Sequence, residues 1–131
     1  MIVGSNCLID TNSIIRALDN SPAESEGFAK LQIINIPFFV IGELLYGAYK
    51  SSRKEKNLQS VTNLIKISII IYPDFTTADC YGQIKAQLKT NGTPIPNNDI
   101  WIAAQAKQFD MTLITNDKHF QYVEGIKLVS W

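Results

Sequence analysis

A chain of 131 residues and 14.7 kDa fits one domain of ordinary size, since domains cluster at about 100–150 residues. With 46% hydrophobic and 18% charged residues it can fill a core, which excludes intrinsic disorder and any need for a disulfide or metal staple. Twelve basic residues balance twelve acidic ones, which argues against a generic polyanion binder but not against a nucleic-acid enzyme with its acids gathered in one pocket.

Met1 to Asn6 lacks the basic region and long apolar run of an export signal, and no apolar stretch is long enough to span a bilayer, so a cytoplasmic protein is expected. Cys7 and Cys80 are isolated, without CxxC spacing, and read as two small buried thiols. Cys7-Leu8-Ile9 is a short apolar run that breaks at Asp10-Thr11-Asn12. Helical spacing follows from Ser13 to Leu18, with Ile14, Ile15 and Leu18 on one face. After a stop at Asp19 to Ser21, Pro22 opens a second helix expected to run to about Ile34. Pro37 to Ile41 reads as a buried strand leading into Gly42-Glu43-Leu44-Leu45-Tyr46-Gly47.

A helix is expected from about Arg53 to Ile65, then a β-branched strand from Ile67 to Tyr72 closed by Pro73. Thr76 to Lys89 and Asn98 to Phe109 read as helices, and Thr112 to Thr115 and Lys127 to Trp131 as strands. Short buried strands alternating with helices give an α/β class, a central parallel sheet covered on both faces in three layers.

In such a sheet ligands bind outside the carboxyl ends of the strands. Asp10, Glu43, Asp99 and Asp117 all fall at or just past such ends, or at a helix start pointing the same way. Asp19, Glu24, Glu26, Glu55, Asp74, Asp79, Asp110 and Glu124 read as solvated or capping acids. The four rim acids have plain readings too: Asp10 and Asp99 as helix caps, Glu43 as a first-turn acid, Asp117 as a turn residue. Glu43, however, lies in an apolar stretch where an uncompensated carboxylate is costly.

Two carboxylates about 4 Å apart repel by roughly 4 kcal/mol at an effective dielectric of about 20, so a cluster either protonates or takes up a cation. Oxygen ligands favour Mg²⁺ or Mn²⁺ over zinc. His119 is the sole histidine and reads as surface or loop packing. Acids holding such ions serve phosphoryl chemistry, by polarising the phosphoryl oxygen and activating water. Setting the four rim acids aside leaves twelve positive against eight negative charges, with Lys50, Arg53, Lys54 and Lys56 clustered where a phosphate backbone, or only solvent, would lie.

Four segments then resemble the PIN domain, and within it the VapC toxins of bacterial toxin–antitoxin pairs. They are Leu8 to Asn12, Ile41 to Gly47, Asn98 to Ala106 and Leu113 to Phe120, in order and with fitting spacing across nearly the whole chain. The resemblance implies a Mg²⁺- or Mn²⁺-dependent endoribonuclease, usually a homodimer, held inactive by a cognate antitoxin, with tRNA a common target among relatives. It implies that Asp10, Glu43, Asp99 and Asp117 are the metal-binding acids. Asn12 matches the polar residue that orients the leading Asp, and Thr115 and Asn116 match polar positions beside the fourth acid. Asn116 is also an alternative to Asp117 as the residue that completes the site.

Other expectations concern the surroundings. Gly47 and Ala103, one turn after Glu43 and Asp99, would leave room for a substrate backbone or a second helix beneath the acids, and Trp101 and Phe109 read as core. Arg16 is a candidate for the substrate rim beside its plain reading as a surface arginine. Apolar residues around Ala29–Ile34 and Leu58–Ile65 would form a dimer interface or face the core.

Competing families fit poorly. A haloacid-dehalogenase-like phosphatase needs a second Asp where Asn12 stands, and a receiver domain needs a Lys at the end of its last strand, whereas Lys127 begins one. A catalytically inactive PIN-like module that binds RNA or protein would have little reason to keep four repelling acids. A processing nuclease for RNA or DNA, without an antitoxin, is the third alternative; the short chain favours the toxin.

Overall fold

In a computed structural model the described residues are 6–131; Met1 to Ser5, part of the stretch read above for an export signal, lie outside them. Strand β1 (Cys7–Ile9) is followed by helices α1 (Thr11–Leu18) and α2 (Pro22–Ala29), then β2 (Asn35–Pro37). Helices α3 (Phe38–Lys50) and α4 (Lys54–Lys66) lead to β3 (Ile69–Ile71). Helices α5 (Phe75–Thr90) and α6 (Asn97–Gln108) lead to β4 (Thr112–Ile114), and a 3-10 turn (Lys118–Tyr122) precedes β5 (Lys127–Val129).

The five strands form one parallel sheet in the order β3-β2-β1-β4-β5, with the six helices carried by its crossovers. Central strands are covered on both sides, so Leu8, Ile9, Ile36, Leu113 and Ile114 are buried without alternation. Each such side chain contributes about 1.5–3 kcal/mol relative to exposure. The chain winds outward from β1 to β3, then returns to the other side of β1 as β4. That reversal opens a crevice outside the carboxyl ends of β1 and β4, the place where open α/β sheets bind ligands.

The expected strand from Pro37 to Ile41 is corrected: Pro37 ends β2 and Phe38 to Ile41 is the first turn of α3. Val40, Ile41, Leu44 and Ala48 are buried at helical spacing, so this apolar run is a core-facing helix stripe. Pro37, at φ −58° with an extended ψ of 138°, suits the junction, since a residue before the helix needs no amide donor. Helix α2 stops at Ala29, short of Ile34, because the chain must turn back into β2. Asp74 supports the start of α5 with a capping box closed by Thr77. Cys7 and Cys80 are free and buried, as expected, and burial pushes the Cys7 thiol up.

Candidate active site

Asp10 stands at the crevice. It leaves β1 with extended backbone (φ −71°, ψ 157°) and caps α1, its Oδ1 accepting from the Thr11 amide at 2.8 Å. Its other oxygen, Oδ2, accepts from Thr115 Oγ1 at 2.8 Å, just past the end of β4. Thr115 Oγ1 in turn accepts from the Asp117 amide at 2.9 Å. The cap role and the site role therefore coexist, one on each oxygen, and a single hydroxyl ties the first acidic segment to the fourth.

Asp117 caps the 3-10 turn by accepting from the His119 amide at 2.9 Å. Asp99 lies in the first turn of α6, which Pro96 precedes. Between these two acids sits the His119 ring, with Nδ1 3.1 Å from Asp99 Oδ2 and 3.2 Å from Asp117 Oδ1. One ligand atom from each of the three lies within 4.8 Å of the others, a spacing suited to an ion. Glu43 reaches in from α3: its Oε1 accepts from Thr11 Oγ1 at 2.9 Å and from the Asn98 amide nitrogen. Asp99 and Asp117 thus meet through His119, while Asp10 is tied to the Asp117 segment through Thr115 and Glu43 to the start of α6 through Asn98.

Their charges act on one another. Burial, chiefly, pushes Asp10 from 3.8 up to about 6; the bonds from Thr115 and Thr11 oppose this, and Asp99 and Asp117 add to it. Asp99 is raised as well, first by burial and also by Asp117 and Glu43, against the lowering hydrogen bond of His119. An added cation would relieve these repulsions together.

The surroundings differ from the sequence reading in several places. Thr115 holds Asp10, while Asn12 and Asn116 are exposed and line a groove with Asp117. His119 is more than surface packing, although 48% of its side chain is exposed. Glu24, read as a solvated acid, is only 4% exposed and paired with Arg16, since α2 folds back on α1. Ala103 is wholly buried core and offers no room for substrate, whereas a Cβ at Gly47 would meet nothing within 4 Å. Phe109 is exposed at the end of α6, and Trp101 stacks between Phe39 and Tyr81. Thr11 and Asn98 hold Glu43, and the sequence marks them only as a polar residue flanking each of two acids, Asp10 and Asp99.

A model of the PIN domain matches residues 7–126. Ribonuclease VapC1 of Haemophilus influenzae (strain R2866) is 32% identical over 129 residues, covering 95% of this chain and 96% of its own. The tRNA(fMet)-specific endonuclease VapC of Salmonella typhimurium (strain LT2) is 32% identical over 127 residues, with the same coverage. Among solved structures, VapBC2 from Rickettsia felis bound to a DNA fragment from its promoter superposes with a TM-score of 0.88 at 28% identity, over 99% of both chains. DNA-bound VapBC from Salmonella typhimurium matches with a TM-score of 0.88 at 30% identity, over 96% of this chain and 98% of that one. With the family's sequence pattern, its sheet and relatives above 30% identity along nearly the whole length, this chain belongs to the PIN domain family.

Proposed function

We propose that this chain is a VapC-type endoribonuclease, dependent on Mg²⁺ or Mn²⁺ and silenced by a cognate antitoxin. The observation that carries the reading is the convergence of Asp10, Glu43, Asp99 and Asp117, with Asp10 and Asp99 both raised partly by their acidic neighbours. An oxygen-rich donor set of this kind fits a hard divalent ion. Asp10 and Asp99 would be its main holders, with Glu43 and Asp117 beside them. When bound, the ion supplies charge for the phosphoryl oxygens and lowers the pKa of water.

The rest falls to the chain's own side chains. Thr115 and the Thr11 amide fix both oxygens of Asp10 and favour its charged form. Thr11 and Asn98 aim Glu43 at the rim. His119 Nδ1 bridges Asp99 and Asp117, holding the two carboxylates at a common distance. Arg53 and Lys56 line a groove between α1, α3 and α4 that reaches Glu43, a path for an anionic strand or for the antitoxin.

The substrate class is RNA, with tRNA first in line because a relative is named for it. An antitoxin partner is supported by the VapBC complexes among the similar structures. A cytoplasmic place follows from that substrate, and no described helix is long and apolar enough to cross a membrane. A homodimer fits the apolar surface at the β3 edge, where Phe38 and Tyr72 pack 5.7 Å apart in the open. Of the two segments read as interface or core, α4 turns Val61 and Leu64 to the core, and Leu31 and Ile34 pack against it as well.

The test is cleavage of bulk tRNA and of unstructured RNA by wild type and Asp99→Asn, with Mn²⁺, Mg²⁺ or EDTA. Metal-dependent cleavage that falls by at least about 100-fold in the variant is expected, as for loss of a principal electrostatic group. Cleavage that persists in EDTA, or in the variant at full rate, would refute the reading.

A further inference from the structure

Arg16 and Glu24 form a polar pair beside the acidic rim that the four carboxylates do not use. Asn20, in the left-handed region at φ 61°, reverses the chain and folds the first turn of α2 onto α1. Glu24 is thereby 4% exposed, and its Oε1 accepts from Arg16 Nε at 2.7 Å. Arg16 itself keeps 61% of its side chain open, and among the described residues its two terminal nitrogens have no partner. It lines a groove with Asn12, Ser13, Asn116 and Asp117, where among the described residues it is the one cation and Asp117 the one acid.

Stability alone does not account for this pair, because an ion pair whose cation is open to solvent typically contributes little. What the pair does provide is a guanidinium gripped at Nε, with the remaining donors of its fork presented beside the rim acids. That fork matches two phosphate oxygens, and its planar geometry loses little freedom on binding. We propose that Arg16 binds a phosphate of the RNA strand next to the one being cleaved, and that Glu24 is the positioning residue that aims it. This rests on the ribonuclease reading above.

The test compares wild type, Arg16→Met/Glu24→Met and Arg16→Gln in Mn²⁺-dependent RNA cleavage across a salt series. The double variant removes both charges, so no unpaired carboxylate is left buried; the single variant leaves an amide donor for Glu24. In both, KM is expected to rise about fivefold near 0.1 M salt with kcat within about twofold, and the slope of log(kcat/KM) against log salt to flatten by about 0.7, the share of one single-strand phosphate. A merely structural pair would not move that slope. An unchanged slope or an unchanged KM in either folded variant would overturn the proposal. Absence of cleavage by the wild type would instead overturn the ribonuclease reading beneath it.

Discussion

Thr115 Oγ1 donates to Asp10 Oδ2 at 2.8 Å, joining two side chains 105 residues apart in sequence. The bond crosses the gap between β1 and β4, where the strand order reverses. It holds a carboxylate that is only 3% exposed in its charged form, against a burial cost that would otherwise raise it further. Thr115→Val deletes the hydroxyl and keeps the shape. Mn²⁺ affinity, measured by titration of the melting temperature, is expected to fall about 10–100-fold, as for lost partners of metal ligands.

Asp10 also fixes the sign of the pH dependence. Its value in the fold is about 6 against an ordinary 3.8, so the fold favours the protonated carboxyl. That contribution is complete below 3.8 and is lost as pH rises through about 6, a span worth roughly 3 kcal/mol. In EDTA, the wild type is expected to melt higher at pH 5 than at pH 8. Asp10→Asn should lose most of this difference and melt above wild type at pH 8. With Mn²⁺ present the order inverts, because binding displaces the proton: affinity rises up to about tenfold per pH unit and flattens above about pH 6.

Glu43 is aimed by two donors, Thr11 Oγ1 and the Asn98 amide. Asn98→Ala removes one of them at the start of α6. A fall of about tenfold in kcat/KM, with stability changed by less than about 1 kcal/mol, is expected from RNA cleavage and thermal melts.

His119 bonds to Asp99 and thereby lowers it. His119→Ala removes that restraint, so Asp99 should hold its proton to higher pH. The pH midpoint of Mn²⁺ binding is expected to move upward in the variant, with the sheet intact by circular dichroism.

The acids that follow strands were legible because an apolar run interrupted by Asp marks both a strand end and a cap, as at Ile9-Asp10 and Ile114 to Asp117. The apolar run from Pro37 to Ile41 predicts a strand ahead of Glu43, yet α3 also delivers Glu43 to the rim, because so short an apolar run does not distinguish strand from helix. The Arg16–Glu24 pair was hidden, since it depends on a left-handed Asn20 turning α2 back, and neither periodicity nor charge spacing encodes that reversal. His119 was hidden for a similar reason. Its ring meets Asp99 only because the 3-10 turn after Asp117 aims it there, and short turns of this kind leave no periodic trace.

In the proposed function, carboxylates from separate segments make one cation-binding centre. Thermal unfolding at pH 7, with and without millimolar Mn²⁺, tests it on wild type and Asp99→Asn. An ion at 100 times its dissociation constant should stabilise the wild type by about 2.7 kcal/mol, and the variant should lose that shift. No shift in the wild type, or the same shift in both proteins, would contradict the account.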